Sequence, residues 1–275
     1  MILRIKCTDK KGLVHKITGV LYHHDLNVIR TDEFVDSESE TFFMRVAFSG
    51  YCQNEKIIKG LEGILPDSAQ VTLSDDSPKN IVILATKEHH CLSDLLIRNE
   101  YKDLNFNILA IISNHESLAS LADKFKIPFF YINHIDKTRQ KHEQEILEKI
   151  QTFQPDYLVL AKYMRILSSD FTSNFSNKII NIHHSFLPAF IGANPYKQAA
   201  ERGVKIIGAT AHFVNENLDE GPILTQDIIR VNHTKTWQEM AAAGRDIERN
   251  VLARTLKLVF EDRVFVINNK TVIFE

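Results

Sequence analysis

From Met1 to about Leu73 the apolar positions switch between a period of two and a period of 3.6, in the order strand, helix, strand, strand, helix, strand. The spacing predicts strands over 2–8, 27–34, 41–48 and 69–73, and helices over 13–24 and 54–62. Val14, Ile17, Val20 and Leu21 recur at helical intervals and are expected to cover one face of an antiparallel sheet. This βαββαβ order is that of a ferredoxin-like unit. The polar run from Ser74 to Asn80, which contains Pro78, reads as a linker, so 1–75 and 80–275 are expected to be separate domains.

Beyond Ile81 the pattern changes character. Short apolar runs over 81–85, 107–112, 129–131 and 157–160 alternate with helical patterns over 91–99, 117–125 and 137–153. Such βα alternation predicts an α/β domain with a mostly parallel sheet, helices on both faces and functional groups at the carboxyl ends of the strands. The runs 157–160 and 178–181 are expected to be adjacent interior strands. Thr236 and Glu239 have the spacing of a capping box, opening a helix that runs to about Phe260. A closing hairpin is expected over 263–274, turning at Asn268 and Asn269.

A chain of 275 residues with 44% hydrophobic and 25% charged residues fits a soluble globular protein of two domains. Its formal charge of −2 gives no electrostatic footprint for nucleic acid, so an anionic ligand must be held locally. Cys7, Cys52 and Cys91 are widely separated and form no disulfide framework, which fits a cytoplasmic location. No metal-ligand spacing stands out. His89, His90 and Cys91 are neighbours, but adjacent residues rarely converge on one ion without partners elsewhere. The N-terminus alternates like a strand rather than a signal peptide, and no apolar run approaches a membrane span.

The candidate chemistry lies in two segments. Asn181 and His183 end an apolar strand that Pro188 prevents from continuing, so both should face one side of a strand tip. Leu218, Asp219, Glu220, Gly221 and Pro222 follow downstream. Taken singly, Asn181 reads as a strand-end turn residue, His183 as a polar loop group and Asp219 as a turn former. Together an amide, an imidazole and a carboxylate suit attack on a carbonyl group: two donors for the developing oxyanion and one acceptor for the proton of the attacking group.

These two segments resemble the active-site motifs of the folate-dependent formyltransferase family, which uses an Asn, a His and an Asp from them. The resemblance covers residues 80 to 275. Leu160 to Leu167, His184 to Phe190 and Ala241 to Glu248 look like the formyltetrahydrofolate deformylase branch rather than a transferase. The resemblance implies a Rossmann-like formyltransferase domain that hydrolyses 10-formyltetrahydrofolate to formate and tetrahydrofolate, balancing the one-carbon folate pool. Asn181 and His183 would stabilise the oxyanion and Asp219 would shuttle the proton, although the division between His183 and Asp219 stays open. Met164, Arg165, Ile166 and Leu167 would line the folate pocket, with His184 and Ser185 beside them. His184, one position past His183, is expected on the opposite face, orienting the catalytic loop. Folate is substrate here, and no cofactor or metal is expected.

Residues 9–14 together with Asn27 and Val28 resemble an ACT domain, a regulatory module that binds amino acids. Gly12 serves there either as a carboxylate seat at a helix start or simply as a turn. The family implies methionine or glycine as effector and a homo-oligomer. The stretch from Thr86 to Asp94 contains no Gly and so lacks the phosphate-binding loop of glycinamide ribonucleotide transformylases. Asn194, Pro195, Tyr196 and Lys197 form a loop that in related deformylases often reads Lys-Pro-Tyr-His, so this chain departs at Asn194 and Lys197. Formyl transfer to an amine, or a non-catalytic amino-acid or folate sensor, are the alternatives.

Overall fold

A computed structural model describes residues 1–51, 53–189 and 195–275. Cys52 and Asn194, singled out in the sequence, lie outside the described residues. The chain divides into two units, one comprising Met1–Ser77 with Glu261–Phe265 and Ile273–Glu275, the other Pro78–Phe260 with Val266–Val272.

In the first unit, β1 (Ile2–Thr8), α1 (Leu13–His23), β2 (Asn27–Asp36), β3 (Thr41–Ser49), α2 (Asn54–Glu62) and β4 (Gln70–Ser74) follow the expected order. The strands form one antiparallel sheet in the order β2-β3-β1-β4. Period-two alternation turns Leu3, Ile5 and Cys7 of β1 and Phe42, Met44, Val46 and Phe48 of β3 toward the helices. Of the expected stripe on α1, Ile17 and Leu21 are buried and Val20 packs partly buried against the core, while Leu13 takes the place expected of Val14. Leu13 is buried, whereas Val14 is 39% exposed. Helix α1 begins at Leu13, and the i, i+4, i+8 series from that residue takes the centre of the buried face.

Residues 261–265 and 273–275, read from the sequence as part of the second domain, cluster with this first unit. The Arg45 guanidinium donates to the Glu261 carbonyl, Ser74 donates to Asp262 at 2.7 Å, and the Phe265 ring meets Phe43 at 5.5 Å between centroids. Local periodicity carries no signal for such distant pairing.

The second unit holds a seven-stranded sheet in the order β11-β10-β9-β8-β5-β6-β7. Its parallel strands are β5 (Lys79–Ala85), β6 (Phe106–Ser113), β7 (Phe129–Tyr131), β8 (Tyr157–Ala161) and β9 (Ile179–His183). Helices α3 (His90–Tyr101), α4 (Ala119–Lys124) and α5 (Arg139–Gln151) connect them. Strands β8 and β9 are neighbours, as their apolar runs suggested, with Leu158 opposite Ile179. After β8 come α6 (Ser169–Ser173), then β9, α7 (Pro195–Glu201), β10 (Ile206–Phe213) and β11 (Ile223–Arg230). Strand β10 runs antiparallel to both neighbours and bulges between Ala211 and His212.

The capping box at the start of α8 (Trp237–Phe260) is present: Thr236 N–H donates to Glu239 at 2.8 Å and Glu239 N–H donates back to Thr236 at 3.2 Å. The hairpin is β12 (Val264–Ile267) and β13 (Lys270–Ile273). Among the described residues no helix is long and apolar enough to cross a membrane.

Candidate active site

A cavity of about 520 Å³ opens at the carboxyl ends of β8 and β9. Asn181, His183 and Asp219 all line it, together with Met164, Arg165, Ile166, Leu167 and His184. Asn181 and His183 share one face of β9 because they are two positions apart. Asp219 comes from the turn between β10 and β11, where its φ of 57° is in the left-handed region. Gly221 sets that turn. A Cβ there would lie 1.8 Å from the Phe213 carbonyl oxygen, so only glycine lets the loop close against β10.

The polar groups form a connected set. His183 Nδ1 is 3.4 Å from Asp219 Oδ1, and His212 Nε2 is 3.7 Å from the same oxygen. His212 Nδ1 donates to the Phe213 carbonyl at 2.9 Å, which makes Nε2 the lone-pair nitrogen of the neutral ring. That nitrogen accepts from Asn181 Nδ2 at 3.1 Å. The bond fixes the amide of Asn181 with its nitrogen inward and leaves its second N–H without a partner among the described residues. His183 Nε2 has none either. The amide N–H is a donor in reserve for a ligand, and His183 Nε2 becomes one when the ring carries a proton on both nitrogens, with Nδ1–H directed at Asp219.

The charge states follow from the surroundings. Burial pushes the Asp219 carboxyl up, but the hydrogen bond from His183 outweighs it and holds the group below the usual carboxylate range. Burial keeps His212 neutral, against the opposing pull of the Phe213 carbonyl and Asp219.

His184 departs from the sequence reading. Strand β9 ends at His183, so alternation no longer governs the next residue, and the His184 ring stacks on His183 at 5.0 Å and 15°. Burial, then the Lys162 ammonium and His183, lower the His184 imidazole to about 3. Ser185 does not line the cavity. Its hydroxyl donates to the Ala189 carbonyl at 2.7 Å and its own carbonyl accepts from Thr210 at 2.9 Å, so its polar groups are engaged in the turn after β9.

The segment from Met164 to Ser168 is anchored at both ends. Thr86 Oγ1 accepts the Met164 N–H at 2.9 Å and donates to Asn114 at 3.0 Å. Glu143 accepts the Ser168 N–H at 2.9 Å, the Ser168 hydroxyl, and Arg139 at 3.1 Å. Between these anchors Met164 and Ile166 are more than half exposed while Leu167 is buried, a wall of apolar side chains over fixed backbone.

Sequence reasoning gave no role to His212, Thr86, Lys162 or Glu248. A signal existed for Glu248, a carboxylate one position after Ile247 and three before Val251 on the buried face of α8. Its side chain meets His90 and Cys91, and one ligand atom from each of the three lies within 4.8 Å of the others. The carboxylate is already engaged by His90, Lys162 and Tyr196, and burial pushes the Cys91 thiol well up, so hydrogen bonds and an ion pair account for the cluster.

Residues 79–256 match the model of the formyl transferase family. The chain is 52% identical to formyltetrahydrofolate deformylase of Escherichia coli K12 over 272 residues, 99% of this chain and 97% of that one. The solved structure of a formyltetrahydrofolate deformylase from Pseudomonas syringae pv. tomato superposes with a TM-score of 0.95 at 38% identity, covering 100% of this chain and 94% of the other. A glycinamide ribonucleotide transformylase from Symbiobacterium toebii reaches a TM-score of 0.69 at 26% identity, over 72% of this chain and 95% of its own. With likeness to deformylases running the full length and likeness to transformylases only part of it, the chain belongs to the formyltetrahydrofolate deformylase family.

Proposed function

We propose that the protein hydrolyses 10-formyltetrahydrofolate to formate and tetrahydrofolate, with Asn181, His183 and Asp219 as the catalytic set. The observation that carries this reading is the convergence of unengaged polar groups on one cavity: His183 Nε2 and the second N–H of Asn181 beside the Asp219 carboxylate. Water attacks the formyl carbon, and the carbonyl oxygen becomes an oxyanion stabilised by the Asn181 N–H and by the Nε2–H of a His183 ring protonated on both nitrogens. Asp219, held ionised, accepts the proton of the attacking water. It returns that proton to the folate nitrogen as the C–N bond breaks, so formate and the secondary amine leave. The segment from Met164 to Leu167 receives the folate ring, its backbone available for hydrogen bonds and its side chains for the ring faces. His184 supports the His183 ring by stacking.

The first unit we read as an ACT-type regulatory module that takes an amino acid such as methionine or glycine, in a homo-oligomer. Its βαββαβ sheet and the left-handed Gly12 at the start of α1 support this. Released formate would return to the one-carbon pool. Purified protein given 10-formyltetrahydrofolate without any amine is expected to release formate and tetrahydrofolate in equal amounts. Release only after an amine is added would replace hydrolysis with formyl transfer.

A further inference from the structure

Next to the His183 and His184 pair lies a second buried polar cluster that the hydrolysis does not use. Glu248 of α8 is 1% exposed, and both of its oxygens are engaged. Oε1 accepts from the Tyr196 hydroxyl at 2.6 Å. Oε2 accepts from His90 Nε2 at 2.7 Å and pairs with Lys162 Nζ at 3.2 Å. Four separate segments therefore converge on one carboxylate: the start of α3, the end of β8, α7 and α8. Gly244, one turn before Glu248, keeps the way open, since a Cβ there would come 2.1 Å from the Tyr196 hydroxyl oxygen. Burial works to raise the Glu248 carboxyl, but the His90 hydrogen bond, the Lys162 ammonium and the Tyr196 hydroxyl outweigh it and bring it to about 2.

Two members of this cluster reach the candidate active site. Lys162 lines the same cavity as Asn181 and His183. The Tyr196 ring lies 6.3 Å from His184, which is itself stacked on His183. We propose that Glu248 is a positioning residue: by holding Tyr196 it fixes the His184 ring against His183, and so sets the imidazole of the catalytic set, with Lys162 as its counter-ion. This rests on the hydrolysis proposed above and assigns the support that hydrolysis requires. A buried ionic cluster adds little net stability, because desolvation offsets most of its attraction. Its effect here is on geometry, as for the partners that orient ligands and bases elsewhere.

Two substitutions separate positioning from folding. Glu248→Gln keeps the shape of the side chain and removes its charge, while Tyr196→Phe keeps the ring and deletes only the hydroxyl bond. In formate release, kcat is expected to fall about 10- to 100-fold in the first and about 10-fold in the second, with KM within about twofold. KM is spared because Thr86 and Glu143 anchor the folate-lining segment separately. Adding Lys162→Met to Glu248→Gln removes the unpaired ammonium and is expected to recover part of kcat. The Cε1–H signals of His183 and His184, read by NMR on protein without substrate, carry the ring-current displacement of the stacked pair. Both variants are expected to lose that displacement.

Tyr196→Phe and Glu248→Gln proteins with wild-type ring signals and wild-type kcat would overturn the positioning role. Wild-type protein that releases no formate would overturn the hydrolysis instead, while the NMR signals, which need no turnover, still decide whether Glu248 sets the rings.

Discussion

Two polar clusters meet at the stacked pair His183 and His184, and they differ in how fully their hydrogen-bonding capacity is used. In the cluster of Asn181, His212, Asp219 and His183, one imidazole nitrogen and one amide N–H have no partner among the described residues, and the carboxylate is 13% exposed at the cavity. In the cluster around Glu248, each carboxylate oxygen is engaged and the group is 1% exposed. The first arrangement leaves valence for a reacting ligand. The carboxylate at the centre of the second leaves none, and suits a support; His90 Nδ1 also lacks a hydrogen bond, but it does not line the cavity. Burial alone does not tell the two apart, since His183 is itself only 6% exposed. The informative quantity is the unused donor beside a cavity.

Substitutions should divide along the same line. Asn181→Ala removes a donor from the open cluster and is expected to lower kcat about 10²- to 10³-fold. Steady-state formate release checks this, and a loss under threefold would remove Asn181 from the set. Gly244→Ala acts on the closed cluster by driving a methyl group into Tyr196. It is expected to lower stability by about 1–3 kcal/mol, read from urea denaturation. Retention of full stability would mean that Tyr196 can swing aside at no cost.

A smaller effect comes from pH. The His184 imidazole is lowered to about 3 and His212 is lowered as well, so the unfolded chain binds protons that the folded chain refuses. Their contribution is fully present above the unfolded histidine pKa of about 6.5 and is lost as pH falls toward the folded values, with a slope of at most about 1.4 kcal/mol per pH unit per group. Partial exposure of His184 shortens the pH range over which that slope acts. Asp219 behaves in the usual carboxylate way: its lowered folded pKa adds stability above the unfolded value, lost as pH falls through the folded one. Between about pH 4.5 and 6.5 the decline therefore belongs to the histidines. His184→Phe should flatten it in urea midpoints measured across that range. Smallest of all, Ser185→Ala is expected to cost about 1 kcal/mol of stability and leave kcat within about twofold, because its hydroxyl serves the turn and not the cavity.

The strands and helices of the first unit were legible because each buries one face, and the period of that face is written in adjacent residues. The parallel strands β5, β6 and β8 were legible as apolar runs. Asn181 and His183 could be placed together by alternation along β9, and Asp219 by its motif. Other parts depend on partners far along the chain. Val14 looked buried because the stripe was started at Val14 and not at Leu13, although Ile17 and Leu21 were placed correctly. Ser185 looked like a ligand residue until its hydroxyl was found on the Ala189 carbonyl. His184 was assigned to the opposite face by a strand rule that stops applying at His183. Glu248, His90, Lys162 and Tyr196 meet from four segments, and His212 sits inside an apolar strand, directly opposite Asn181 in the pairing of β10 with β9. No local pattern encodes such convergence.

The most direct test of the hydrolysis is the rate of formate release from 10-formyltetrahydrofolate, with no amine present, in Asp219→Asn beside wild type. Loss of the proton acceptor is expected to lower kcat about 10²- to 10⁴-fold while folate binding, measured by calorimetry, stays within about threefold. Turnover by Asp219→Asn at the wild-type rate would contradict the catalytic set.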